Sequence, residues 1–120
     1  MTDILWLNDV EDHDYPAAFS YLSLIYDQED AESFVKHLRS ASISQFHVKD
    51  IFRASGLALL DMNNYHVRKD TSKIKQGKKL SPILLVRDTA LGKVVIADGY
   101  HRICAVYEED EDAMIPCKIV

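Results

Sequence analysis

Cysteine is scarce in this sequence, and there is no long hydrophobic run. The two cysteines, Cys104 and Cys117, are too few for a disulfide scaffold and lack the spacing of metal ligands. The apolar runs are far shorter than a membrane-spanning helix requires, so we expect no association with a membrane. Residues 1–10 contain no basic residue and no long apolar stretch, which argues against a signal or transit peptide. We therefore expect a cytoplasmic protein with reduced thiols.

Basic residues are missing from the first 32 positions, which nevertheless contain nine acidic residues. Residues 33–120 carry all 14 lysines and arginines against ten acids, and five of those acids form the run 108–112. Two interpretations remain open. The acidic N-terminal part could compete with an anionic ligand or dock on a protein partner, or it could be an ordinary solvated surface.

Internal repeats, low-complexity tracts and Gly/Ser linkers are also missing, so a chain of 120 residues is predicted to form one domain. Residues 3–10 are predicted as a short strand or an extended arm anchored by Trp6. Apolar residues at helical spacing predict that the rest of the N-terminal part, up to residue 56, is helical. The three predicted helices cover 16–26, 29–40 and 45–55.

The pattern changes after Gly56, and residues 57–120 are predicted to form an α/β core. Asp70 is interpreted as the N-cap of a short helix that Gly77 closes. The predicted elements are a strand at 57–60, a helix at 70–76, a β-hairpin at 83–97, a helix that begins near residue 100 and a strand at 114–120. The expected fold class is α+β, with N-terminal helices packed on a small mixed sheet.

The most informative segment is Asp98-Gly99-Tyr100-His101-Arg102, where a buried strand runs through a glycine into a helix. The first N–H groups of a helix have no intrahelical partner, and the helix dipole favours an anion beside them. Gly99 permits close approach of a ligand to the backbone, and Arg102 suits bidentate contact with phosphate. The alternative is that Gly99 is only a turn, that Asp98 is a plain N-cap and that Arg102 pairs with an acid.

Three segments together resemble the core of the ParB/sulfiredoxin superfamily, which includes the ParB-like nuclease domains. They are Pro-Ile-Leu-Leu-Val at 82–86, Val-Val-Ile-Ala-Asp-Gly-Tyr-His-Arg-Ile-Cys-Ala at 94–105 and Ile-Pro-Cys-Lys-Ile-Val at 115–120. The resemblance covers about residues 57–120. In this superfamily the turn cradles nucleotide phosphates, of ATP in sulfiredoxin and related small kinases and of CTP in ParB.

The resemblance implies a nucleotide- or phosphate-binding protein whose ligand is ATP or CTP with Mg²⁺. Its phosphate-binding residues would be Gly99, Tyr100, His101 and Arg102. If the protein is an enzyme, phosphoryl transfer or phosphoester hydrolysis is expected, with Asp98 or His101 handling the proton. No resident metal site is expected.

Two departures from the superfamily limit what it implies. Sulfiredoxin places its reactive cysteine where this chain has Tyr100, whereas Cys104 follows Arg102 by two residues. Sulfiredoxin chemistry is therefore not expected. ParB has a Gly-Glu-Arg-Arg box and continues into a helix-turn-helix domain, neither of which occurs here, so ParB-type clamping on DNA is not expected either.

A basic segment at 66–79 is the second candidate element. In the superfamily the stretch before the Pro-Ile strand lies beside the phosphate turn, which implies further phosphate contacts from Lys78, Lys79 and Ser81. Two other interpretations are a solvated helix face and a patch that binds the backbone of DNA. With Tyr65 as the one aromatic residue nearby in the sequence, stacking of single-stranded bases is weakly indicated. A non-catalytic protein-interaction module, with a degenerate turn, is the remaining alternative.

Overall fold

The computed structural model describes residues 3–120, which form an α+β fold of five helices on a four-stranded mixed sheet, as the sequence predicts. The helices are α1 (Asp14–Ile25), α2 (Gln28–Ser40), α3 (Val48–Ser55), α4 (Tyr65–Lys75) and α5 (Tyr100–Glu109). The strands are β1 (Ser44–His47), β2 (Ile83–Asp88), β3 (Lys93–Asp98) and β4 (Met114–Ile119).

The sheet has the strand order β1-β4-β2-β3. The β2–β3 pair is the predicted antiparallel hairpin, β4 runs parallel to β2, and β1 runs antiparallel to β4. The first four residues of β2, at positions 83–86, are apolar and buried because both faces of the strand are covered there. Ile83 and Leu85 join one hydrophobic cluster, while Leu84 and Val86 join the other.

The two hydrophobic clusters make the fold three layers deep. One face of the sheet carries α1 and α2, and buried side chains such as Leu22 and Leu38 pack on it. The other face carries α3, α4 and α5, represented by Ile51, Ile74 and Ile103. The end of β3 and the start of α5 lie where these layers meet, because α1 packs against β3 and α4 packs against α5.

The predicted helix at 45–55 is wrong in its first residues, because β1 occupies 44–47 and α3 begins only at Val48. Phe46 pairs with Ile115 of β4, and exposed and half-buried residues alternate along β1 as in a strand with one covered face. The predicted strand at 57–60 is also wrong. This segment pairs with no strand. It lies beside the start of α5 instead, where the Tyr100 hydroxyl donates a hydrogen bond to the carbonyl of Ala58.

The helix before the hairpin is longer than predicted. Asn64 is its N-cap, and its side-chain oxygen accepts hydrogen bonds from the N–H groups of His66 and Val67 at 2.9 and 3.2 Å. Asp70, the predicted N-cap, therefore lies in the middle of α4. Asparagine and aspartate are both good N-cap residues, and Asn64, which comes earlier in the chain than Asp70, is the one that caps the helix.

The N-terminal arm is extended and lies beside the segment that precedes β2. Trp6 forms an isolated parallel bridge with Leu80, and two backbone hydrogen bonds of 2.8 Å accompany the bridge. An extended arm is one of the two alternatives that the sequence offers for residues 3–10. A buried lysine, which the pattern does not indicate, holds the arm from the other side. The ammonium of Lys118 donates to the Tyr15 hydroxyl at 3.1 Å and lies 3.3 Å from the carboxylate of Asp9.

Within residues 3–120, none of the helices has the length and apolar character that crossing a membrane demands.

Candidate functional site

The candidate site is the turn between β3 and α5, and a bulge in the hairpin shapes it. Leu84 pairs with Asp98 whereas Leu85 pairs with Ile96, so β3 has one extra residue just before its end. Bulges of this kind often re-aim a side chain beside a functional site. Gly99 follows with φ 110° and ψ 15° and is the N-cap of α5. No side chain of residues 3–120 caps this helix end, so the alternative role of Asp98 as N-cap is wrong.

The position that a side chain on residue 99 would take is filled by the protein itself. A Cβ atom at this position would lie 2.5 Å from Cδ1 of Ile83 and 2.8 Å from Nη2 of Arg102. The glycine is therefore required by its positive φ and by the arginine that lies over it. Close approach of a ligand is not needed to explain this residue.

The guanidinium of Arg102 makes two internal salt bridges. Nη2 donates to Asp98 at 3.0 Å, and Nη1 donates at 3.2 Å to Asp14, which lies 88 positions earlier in the chain. Nε is buried and has no acceptor among residues 3–120. The bidentate contact with phosphate that the sequence suggests is therefore unavailable while both salt bridges are made.

Ser81 belongs to the same internal network. Its hydroxyl donates to Asp14 at 2.6 Å and accepts the N–H of Glu11 at 3.0 Å. Because Ser81 is only 1% exposed and both of its hydrogen-bonding roles are used, it holds Asp14 in place beneath the cleft. A direct contact of Ser81 with phosphate would need this network to open.

A cleft of about 200 Å³ lies over the turn. Its charged and titratable lining residues are Glu11, His13, Asp14, Asp70, Lys73, Asp98, His101 and Arg102. Four carboxylates thus face two permanent cations in this cleft. Lys73 of α4, rather than Lys78 or Lys79, is the lysine at the turn. It lies 3.9 Å from Asp70, and the sequence assigns it only to the basic segment.

Burial shifts the acid–base properties of the groups around the turn. It raises the pKa of Asp98 to about 6, with the Asp14 carboxylate adding to the rise and Arg102 opposing it. It also raises the pKa of Asp70, whereas burial together with the nearby His66 lowers the pKa of His101. At neutral pH Asp98 is therefore mostly ionised and His101 mostly neutral. Such a pair is suited to accepting a proton near neutrality.

We expect replacement of Asp98 by asparagine to stabilise the protein at pH 8 but not at pH 4. The native carboxyl holds its proton more tightly than the unfolded one, so the free energy of unfolding falls as pH rises from about 3.8 to about 6. The variant loses this penalty, which is on the order of 1–2 kcal/mol after allowance for solvent screening. Urea unfolding at both pH values measures the difference. In the exposed control Asp12→Asn, the change in stability should not differ between the two pH values. An equal effect of Asp98→Asn at both pH values would contradict the raised pKa of Asp98.

The remaining predicted residues lie around the turn but not all in the cleft. Tyr100 lines both this cleft and a second one of about 270 Å³, which is also lined by Ala17 and Tyr21 of α1 and by Leu57. Lys78 lines a groove along α4, and Lys79 is exposed beside it. The structure thus brings Asp98, Gly99, Tyr100, His101 and Arg102 together and leaves the two lysines and Ser81 outside.

The residues that the structure describes include no cluster of three or more histidines, cysteines, aspartates or glutamates able to hold a metal ion. Mg²⁺ keeps several waters and is commonly bound through substrate phosphates and one or two carboxylates. A magnesium ion at this turn would therefore depend on the oxygens of a bound nucleotide.

Comparison of the chain with protein-family models, with curated proteins and with solved structures finds no match. The assignment of a function therefore depends on the residues of the turn and of the cleft above it.

Proposed function

We propose that this protein binds a nucleotide or another small phosphate-bearing ligand in the cleft over Gly99. The observation that carries the proposal is the helix end itself, since α5 begins at a glycine with no side-chain cap among residues 3–120. Free amides and the positive end of the dipole favour an anion at such a position. The resemblance of residues 57–120 to the ParB/sulfiredoxin superfamily supports a nucleotide, with ATP or CTP and Mg²⁺ as the first ligands to test.

The direct contacts in this proposal come from groups that the internal network leaves available. His101 is in the first turn of α5, and Lys73 reaches the same cleft from α4. The two would meet phosphate oxygens from opposite sides. Arg102 would contribute its positive charge, and it would hold Asp98 at the rim of the cleft.

If the bound phosphate is transferred or hydrolysed, Asp98 is the residue placed to accept a proton. Its carboxylate is half-buried beside the turn, and its pKa of about 6 leaves it ionised but basic at neutral pH. His101 is neutral there and can also accept a proton. Phosphoryl transfer and phosphoester hydrolysis both need such a group, together with electrostatic stabilisation of phosphate charge.

A second candidate is a non-catalytic protein-interaction module with a degenerate turn. One specific observation favours it, because two carboxylates of the chain already hold both terminal nitrogens of Arg102. In this case the acidic surface of α1 and α2 would be the docking face. The two candidates differ in what they expect of small ligands.

A thermal-shift measurement with ATP, CTP and GTP, each with and without Mg²⁺, tests the proposal. A ligand at one hundred times its Kd adds about 2.7 kcal/mol to the free energy of unfolding, or roughly 10 °C in Tm for a domain of this size. The double variant Lys73→Met/His101→Gln should reduce the affinity at least about tenfold, which corresponds to 1.4 kcal/mol. Neither residue belongs to the Arg102 network, so the variant is expected to fold.

The matched control is Lys36→Met, which removes an exposed lysine of α2 remote from the turn. Its ligand-induced shift should equal that of the unmodified chain. A nucleotide shift that survives in the double variant would place binding elsewhere. No shift with any nucleotide or with inorganic phosphate would favour the interaction module.

A further inference from the structure

Four rings stand in a row across the N-terminal ends of α4 and α5. The ring centroids of Tyr65 and His66 are 5.3 Å apart, those of His66 and His101 are 4.8 Å apart, and those of His101 and Tyr100 are 5.6 Å apart. The row joins two helices whose residues are far apart in the sequence. From the sequence alone, Tyr65 is therefore the one ring expected beside the basic segment. Tyr65 is 62% exposed, and His66 is also exposed. The rings of Tyr100 and His101 are half-buried, so Tyr65 and His66 form the open end of the row.

A basic groove of about 430 Å³ continues from the row along α4. Its lining residues are Tyr65, Arg68, Lys69, Ser72, Lys73, Gln76 and Lys78. The stretch 65–79 holds six lysines and arginines against one acid. Arg68 is bound to the carbonyls of Met62 and Asn63, which leaves Lys69, Lys73 and Lys78 as the cations of the groove. Lys73 also lines the cleft over Gly99, so the groove and the cleft lie on either side of this lysine.

We propose that this groove binds a single-stranded polynucleotide, with bases stacked on the ring row and phosphates along the three lysines. The inference rests on the proposed function, which it extends from one phosphate group to a chain of them. Stacking on aromatic rings beside a positively charged groove is the general means by which proteins hold single strands without reading their sequence. The row supplies the stacking surface that the sequence lacks within the basic segment.

The charge distribution confines a polyanion to this face. Residues 1–32 contain nine acids and no lysine or arginine, and the run 108–112 is acidic throughout. A nucleic acid strand is repelled from those surfaces and attracted to α4. A duplex satisfies the lysines equally well, but its bases are stacked on one another and cannot use the rings. The rings therefore favour a single strand over a duplex.

Fluorescence anisotropy with labelled twelve-residue oligo(dT) and oligo(U), a twelve-base-pair duplex and ATP tests the inference. We expect both single strands to bind at least about tenfold more tightly than the duplex. We also expect log K to fall with log salt with a slope of about −2, since each phosphate contact of a single strand contributes about −0.7. Tyr65→Ala should weaken binding of the single strands about tenfold, and Lys69→Ala/Lys78→Ala should reduce the slope to about −0.7.

Lys36→Ala/Lys93→Ala is the matched control, because it removes two exposed lysines outside the groove and should change neither quantity. All the substituted residues are exposed, so Tm should stay constant in every variant. A duplex that binds as tightly as the single strands, or single-strand binding unaffected by Tyr65→Ala, would overturn the inference. If ATP binds at the turn but the oligonucleotides bind no more tightly than ATP, the inference fails while the proposed function stands. If neither ATP nor inorganic phosphate binds, the proposed function fails, and the inference that rests on it fails with it.

Discussion

Replacement of Arg102 by methionine is expected to lower the free energy of unfolding by about 3–5 kcal/mol, because it leaves buried carboxylates without their cation. Asp14 is 4% exposed, and its remaining close partners would be the Ser81 hydroxyl and the imidazole of His13, whose Nε2 lies 3.3 Å from the carboxylate. The loss is comparable to much of the stability of a typical domain. Urea unfolding followed by circular dichroism measures the change, and a variant that is largely unfolded without urea would agree with the upper end.

Two comparisons separate this expectation from a general effect of losing a charge. Lys49→Met removes a salt bridge whose atoms are closer, since Lys49 lies 2.6 Å from Asp112, but both side chains are exposed. Exposed pairs contribute little, so Lys49→Met should change the unfolding curve barely if at all. Adding Asp14→Asn to Arg102→Met should recover part of the lost stability, because the orphaned charge is removed. An Arg102→Met variant as stable as Lys49→Met would show that the buried network has no such role.

The same network ties the acidic N-terminal part to the turn. Asp14 is the first residue of α1, and it meets Ser81 before β2 and Arg102 in α5. One of the two interpretations of the acidic part is competition with an anionic ligand. The structure places one of its carboxylates on the cation of the turn, which is the contact such competition needs. A ligand that used Arg102 directly would have to displace Asp14 or Asp98.

Local patterns in the sequence predict most of the helices and the hairpin. Helices α1 and α2 follow from apolar residues three and four positions apart, and β2 and β3 follow from apolar runs on either side of a turn. The turn residues from Asp98 to Arg102 follow from a strand, a glycine and a helix in succession. These signals lie within a few residues of one another, so no tertiary contact is needed to read them.

Features that depend on contacts between residues far apart in the chain could not be predicted from the sequence. Strand β1 has four residues, and its partner β4 lies about seventy positions later. Because the neighbouring residues have a helical pattern, the sequence predicts a helix there instead. The salt bridge between Asp14 and Arg102 and the ring contact between His66 and His101 join residues with no local relation. The segment at 57–60 is predicted as a strand because its leucines are apolar, although no strand of the described chain pairs with it. In each case the tertiary contact, rather than the local preference, decides the outcome.

Replacement of Gly99 by alanine is the second change with a large expected effect, about 3 kcal/mol or more of lost stability. A left-handed backbone costs an L-residue roughly 1–2 kcal/mol, and the new Cβ would also press on Ile83 and Arg102. Ile83 is fully buried, so its side chain has little room to move. Displacement of the guanidinium would weaken its bonds to Asp14 and Asp98 as well.

The control is Gly92→Ala in the β2–β3 turn, where φ is 66° and no heavy atom of residues 3–120 lies within 4 Å of the new Cβ. It carries the backbone strain without the contacts, so it should cost only roughly 1–2 kcal/mol. The difference between the two variants isolates the packing of Arg102 over the turn. Equal losses would mean that the arginine yields freely and that the turn is more open than its contacts indicate. That result would also make Arg102 available for direct contact with a bound phosphate.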